Sequence, residues 1–142
     1  MAGTNDFNAR NIAAFRANQG RLGGAFEGAP IALVHHRGRK SGREYVSPMM
    51  YLADEGDAAT IYVFGSKAGA LTHPDWYYNL TFAGVARVEV GTDAYQVSVT
   101  ELAGEERDRV FEEQARRYPG FAGYAQKTAG IRTIPVLALR RA

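Results

Sequence analysis

The chain's densest chemistry lies in Arg37-Gly38-Arg39-Lys40-Ser41-Gly42-Arg43, which puts four positive charges and two glycines into seven residues. Guanidinium, ammonium, hydroxyl and turn N–H groups held this close together suit a phosphate or a carboxylate. A solvated hairpin turn has the same composition, so the run taken alone fits either reading. A second segment, Gly65-Ser66-Lys67-Ala68-Gly69, follows the apolar run Ile61–Phe64. Small residues at a strand end let a flat ring approach the backbone, and Ser66 and Lys67 add a donor and a charge. A plain turn into the next helix is the simpler reading. The third segment is Pro74-Asp75-Trp76-Tyr77-Tyr78-Asn79-Leu80. Helical neighbours lie about 100° apart, so three consecutive aromatics cannot share one face, and Asn79 needs partners if it is buried.

Elements on either side must bring these segments together. Asn5–Gln19 reads as a helix capped by Asn5 or Asp6, with Ile12, Phe15 and Ala14 as its apolar stripe and Gly20 at its end. Arg21–Ala29 is a glycine-rich connector. Strands are expected over Pro30–His36 and Tyr45–Ala53, with Pro48 marking an edge or bulge, and over Ala58–Phe64. A helix starts at Pro74 and stops near Gly84. Val85–Val90 and Ala94–Leu102 form a hairpin. Gly104–Tyr118 is a helix with acidic residues at its start and basic ones at its end, as the macrodipole favours. Pro119-Gly120 breaks it. Phe121–Thr128 reads as a short helix and Thr133–Arg140 as a last strand. Strands outnumber helices and come in hairpins, so the class is α+β: an antiparallel sheet or barrel with peripheral helices.

Composition narrows the function. At 142 residues the chain is expected to form one domain overall, an N-terminal helix and connector over 1–29 and a barrel over 30–142. Net charge is +2 and the pI about 9.0, with the positive charge clustered rather than spread, which argues against nucleic acid. There are no cysteines, so disulfides, thiolate zinc sites and cysteine nucleophiles are excluded. His35 and His36 end a strand and point to opposite faces, and His73 reads as a helix-start residue, so no metal is expected. No apolar run reaches membrane-spanning length and Met1–Arg10 lacks a signal-peptide core, so a cytoplasmic location is expected. No G-x-G-x-x-G follows a strand, and the basic loop lacks the spacing of a Walker motif.

Five pieces in order resemble the deazaflavin-dependent nitroreductase family. They are Gly38-Arg39-Lys40-Ser41-Gly42, Val46-x-Pro48, Ser66-Lys67-Ala68-Gly69, Pro74-x-Trp76-Tyr77-x-Asn79-Leu80, and the terminal Tyr118-Pro119 with Ile134-Pro135-Val136. The resemblance covers about Ile31 to Leu139 and implies a split β-barrel of the FMN-binding type that binds coenzyme F420. By that likeness Arg39, Lys40, Ser41 and Gly42 hold the cofactor's phosphate. Tyr45, Val46, Pro48, Met49 and Met50 lie along its ring and ribityl chain. Gly65, Ser66, Lys67, Ala68 and Gly69 approach the ring edge, and Trp76 and Asn79 meet the phosphate–glutamate tail. An acidic tail suits Arg and Lys, and a planar ring suits small residues beside Met and Val.

The resemblance implies hydride transfer from reduced cofactor to a small electron-poor acceptor: a quinone, an enone or a nitroaromatic. Ser66, Tyr118 and Tyr124 are the candidates for orienting and polarising that acceptor, the tyrosines flanking a Pro-Gly break where a flap could cover the site. Three positions depart from the family. Phe121 and Met50 stand where tyrosines are usual, and Tyr45 where a basic residue is. The lost hydroxyls make the pocket more apolar and weigh against nitro reduction. FMN is the alternative cofactor, and a non-catalytic carrier using exposed aromatics of Phe121–Tyr124 is the alternative class. Peripheral membrane contact stays open because a quinone is lipid-borne, and the assembly is a monomer or a homodimer.

Overall fold

The computed structural model describes residues 2–18, 20 and 30–142, and the side chains of these except residues 2–8 and 68. The connector 21–29 and the side chains of Asn5, Asp6 and Ala68 therefore lie outside the described residues. Helix α1 spans Ala2–Ala17, β1 Ile31–Arg37, β2 Glu44–Ala53 and β3 Thr60–Phe64. A 3-10 turn at Lys67–Gly69 precedes α2 (Asp75–Ala83), β4 (Val85–Val90) and β5 (Asp93–Glu101). Helices α3 (Gly104–Arg117) and α4 (Gly120–Thr128) lead to β6 (Val136–Arg141).

The six strands close an antiparallel barrel in the order β1-β2-β3-β6-β5-β4. Side chains alternate between its two faces. Ala32, Val34, Ile61, Val63, Val88, Val97, Leu137 and Leu139 fill the interior, and Leu80 of α2 joins them, fully buried. On the outer face Leu52, Tyr62, Phe64, Ile134 and Val136 pack under Val110 and Phe111 of α3 and Phe121 of α4. Elsewhere on the outside, Phe15 of α1 seats on Ile31 and Leu33, with Ile12 and Ala14 beside it. Arg16 reaches Glu89 and pins α1 to the barrel, and His35 of β1 meets the same carboxylate. The Arg16 guanidinium is the first cause of a Glu89 carboxyl pulled down to about 2.

Several boundaries differ from the sequence reading. Helix α1 already runs from Ala2, so Asn5 and Asp6 are inside it rather than capping it. Pro74 keeps an extended conformation and precedes α2, which starts at Asp75. The last strand starts at Val136 rather than Thr133. Pro135 has no N–H to give a ladder, and its ring packs against Gly65, where an added Cβ would meet Pro135 Cγ at 2.7 Å.

One asymmetry of the barrel matters for the site. All of β2 from Glu44 to Met50 pairs with β1, whereas β3 pairs only with Tyr51, Leu52 and Ala53. Residues 44–50 therefore present an unpaired edge among the described pairings, the place where Pro48 is tolerated.

Candidate functional site

The basic loop is a built hairpin connection. Gly38 N–H donates to the Arg43 carbonyl and Gly42 N–H to the Gly38 carbonyl, each at 2.8 Å. Gly42 adopts φ +72°, a left-handed turn that glycine accepts without steric cost. Ser41 Oγ accepts from Arg43 N–H at 3.1 Å. The loop faces a cleft of about 420 Å³ lined by Gly38, Arg39, Lys40, Ser41, Tyr45 and His36 from one side and Asp75 and Asn79 from the other.

Asn79 holds that loop in place. It is only 5% exposed. Its Oδ1 accepts from Arg39 backbone N–H at 3.1 Å and from Arg39 Nη1 at 3.4 Å. Both partners are donors, which fixes the amide's orientation and turns Nδ2 toward His36 Nδ1, 3.0 Å away. His36 Nδ1 is thus the acceptor, and Nε2 carries the proton donated to Ser47 Oγ at 2.9 Å. Burial, then the neighbouring His35, pushes His36 down to about 4 against an opposing pull from Asp75, so the ring is neutral at ordinary pH. The Arg39 guanidinium also lies 4.9 Å from the Tyr78 ring centroid, a cation–π contact.

The second loop is held differently. Lys67 takes φ 47° and Gly69 φ +81°, two left-handed residues within one turn. Arg132 grips this turn from outside. Its Nη1 donates to the Gly65 carbonyl at 3.0 Å, Nη2 to the Ser66 carbonyl at 2.8 Å and Nε to the Ala70 carbonyl at 2.9 Å. Arg132 Nη1 also donates to His73 Nδ1 at 2.9 Å. His73 is shifted down by burial and then by Arg132. From α4, Tyr124 and Lys127 close on Gly69, whose missing Cβ would stand 3.3 Å and 3.2 Å from them. Between the loops, the His73 ring lies tilted against Tyr77 and Tyr78 of α2, with centroids 4.8 Å and 5.9 Å away.

The structure sorts the residues expected from sequence. Arg39, Lys40, Ser41, Gly38, Tyr45 and Asn79 share one cleft. Asn79 spends its amide on Arg39 and His36, and Trp76 packs against the barrel interior rather than lining that cleft. The β2 residues divide by strand alternation. Met49 faces the interior cluster, while Val46 and Met50 face the outer one under α1. An added Cβ at Gly65 would point into the Pro135 ring. Ser66 is 9% exposed. Tyr124 meets Gly69, and Tyr118 packs at the rim of the outer cluster, as does Met50. Phe121 is not exposed, as the carrier reading required, but buried edge-on against Phe64, Phe111 and Tyr124.

Sequence reasoning missed His36, Arg132 and Tyr51. His36 carried a signal, since alternation aims it at the same face as Ser47. Arg132 carried none. Tyr51, interior and adjacent in charge to Tyr118, is pushed up by burial and then by that neighbour. No cluster of three metal-ligating side chains occurs among the described residues.

The profile of the F420H(2)-dependent quinone reductases matches residues 8–141. The chain belongs to that family. Two Mycobacterium tuberculosis (strain ATCC 25618 / H37Rv) proteins are similar over most of their length. Rv3178, whose name carries F420H(2)-dependent quinone reductase as a provisional assignment, is 32% identical over 121 residues, 84% of this chain and 98% of that protein. The F420H(2)-dependent quinone reductase Rv1261c is 32% identical over 136 residues, 91% of this chain and 86% of that one. A solved F420-H2 dependent reductase, FDR-A, superposes with a TM-score of 0.68 at 32% identity, over 78% of this chain and 94% of its own. A second solved structure, described as a domain-swapped dimer, gives a TM-score of 0.70 at 28% identity over 93% of each chain. The barrel is therefore the split barrel of F420-dependent reductases, the protein is a member of that reductase family, and the family implies coenzyme F420 as its cofactor.

Proposed function

We propose that the protein reduces a quinone-type acceptor, with the cofactor's phosphate held in the Gly38–Arg43 cradle and the acceptor placed beside Ser66–Gly69 under Tyr118 and Tyr124. The observation that carries this is the cleft itself. Arg39 and Lys40 face it while Asn79 and His36, neutral and buried, hold the loop without consuming its charge. Its donor set fits an anionic, phosphate-bearing cofactor.

Hydride donation is the chemistry that reduced coenzyme F420 supplies when bound. The chain's residues do the rest. Arg39 and Lys40 neutralise the phosphate, and Ser41 and loop N–H groups complete its shell. The unpaired edge of β2 offers backbone donors and acceptors to a planar ring. Ser66, Tyr118 and Tyr124 supply hydroxyl donors for an acceptor oxygen as it gains charge. Phe121, Met50 and Phe64 make the surroundings apolar, which suits a quinone or enone better than a nitro group.

Saturable quenching of F420 fluorescence, followed by stopped-flow oxidation of reduced F420 with menadione, tests the proposal. Binding without oxidation would leave a carrier, and a failure to bind would end the reading. No helix among the described residues is long and apolar enough to cross a membrane. Leu71 and Ile131, 56% and 58% exposed beside the Arg132 grip, suit shallow contact with a quinone-bearing bilayer, and vesicle sedimentation checks this. A homodimer is the expected assembly, on the strength of the domain-swapped relative, and light scattering reads it directly.

A further inference from the structure

We propose that Arg132 is a positioning residue for the ring-side loop: its guanidinium sets where Ser66 and Lys67 stand relative to the bound cofactor. The inference rests on the cofactor reading above and adds to it a residue outside every segment that reading uses.

The geometry is demanding. One planar fork satisfies the carbonyls of Gly65, Ser66 and Ala70 and the ring nitrogen of His73, all within 2.8–3.0 Å. Guanidinium carries five donors in a fixed plane, whereas a lysine ammonium carries three around a point. The loop it grips needs an external hold. Lys67 is the one non-glycine residue at positive φ among the described residues, and such a conformation persists where its surroundings over-determine it. The turn's own bonds are Gly69 N–H to the Ser66 carbonyl at 2.9 Å and Ala70 N–H to the Lys67 carbonyl at 3.0 Å. Neither reaches the barrel. Gly65 N–H to the Pro135 carbonyl at 2.9 Å ties down one end, and Arg132 ties down the remainder.

Arg132 is itself placed by α4. Its N–H donates to the Thr128 carbonyl at 3.1 Å, at the end of the helix whose Tyr124 rests on Gly69. Helix α4 therefore closes on the loop from two sides, with the Tyr124 ring and with the residue that follows its last turn. Through His73 the same guanidinium fixes the segment entering α2. Moving Arg132 shifts the loop's hydroxyl and ammonium together, and misplacement on the order of 1 Å costs about a hundredfold in rate.

The experiment uses the full chain as wild type, R132K and R132G. Three quantities are read: the Kd of F420 by fluorescence, the single-turnover rate of reduced F420 with menadione, and amide hydrogen exchange. The expected result is a hydride-transfer rate lower by about a hundredfold in both variants. The F420 Kd, set at the separate cradle, changes only a few-fold. Millimolar guanidinium restores much of the rate in R132G. Exchange quickens at residues 65–70 and not at 38–43, a readout that needs no cofactor. An unchanged rate in folded R132K overturns the proposal. So does loss of rate and affinity together with faster exchange in both loops, which marks a general structural role. If wild type binds no F420, the cofactor reading falls, and unchanged exchange at residues 65–70 would still refute the grip.

Discussion

The proposed anion cradle and the proposed ring-side loop are both short glycine-bearing connections at strand ends, yet they are held by opposite means. The cradle is fixed by neutral groups, the Asn79 amide and the His36 imidazole, which bond to Arg39's backbone and brush its guanidinium. The ring-side loop is fixed by a cation, Arg132, whose donors are spent on carbonyls and His73. Under the proposed function, uncharged supports leave the first loop's charges available to an anion, and the second loop has its carbonyls turned away from the proposed ring edge and satisfied from behind. Helix α2 links the two, because His73 meets Arg132 while Tyr78 and Asn79 meet Arg39.

The largest way to break this comparison is to remove the cradle's charges. Arg39→Ala with Lys40→Ala is expected to weaken F420 binding by about 1.5–3 kcal/mol per lost contact. An affinity that does not move takes the loop out of the site.

Removing the cradle's neutral support comes next. Asn79→Ala leaves Arg39 N–H and His36 Nδ1 unpartnered in a buried place and is expected to cost about 1–3 kcal/mol of stability. The urea midpoint should drop, F420 affinity should drop with it, and exchange should quicken at residues 38–43. Protection there that survives the substitution would show that the hairpin holds itself.

Acid sharpens the same point. His36 is held below its ordinary value in the folded protein and titrates normally when unfolded. Its contribution to stability is complete above the ordinary histidine value and is lost progressively as pH falls toward about 4. The urea midpoint should fall over that interval, and His36→Phe should flatten the dependence. Equal slopes in the two proteins would assign the effect to other groups.

The smallest expected effect is on the ring side. Tyr118→Phe should leave the F420 Kd unchanged and slow hydride transfer by about tenfold, near the worth of one neutral hydrogen bond. A rate equal to wild type reduces Tyr118 to packing against the outer cluster.

Much of this was legible before any coordinates. Clustered charge between two strand-like runs marked a candidate anion site, and an amide in an aromatic helix marked Asn79 as needing partners. Hairpin spacing marked an antiparallel sheet or barrel, and the order of the motifs marked the family. The ring-side support was not legible. Arg132 sits in an unremarkable Gly130-Ile131-Arg132-Thr133 stretch, and 66 residues separate it from the Ser66 carbonyl it holds. The packing of Pro135 where a Cβ of Gly65 would stand was not legible either. Tyr45–Met50 looked like one wall, but alternation sends Met49 inward and Val46 and Met50 outward. Phe121 looked exposed and is core.

Sequence by itself determined the features that depend on neighbours along the chain: charge density, turn chemistry, strand and helix periods, and hence the basic hairpin loop and the family. Tertiary structure decided which distant groups satisfy buried carbonyls and amides. That choice depends on barrel closure and on the docking of α4, because a buried polar atom takes whichever partner the fold brings within about 3 Å, whatever its place in the chain.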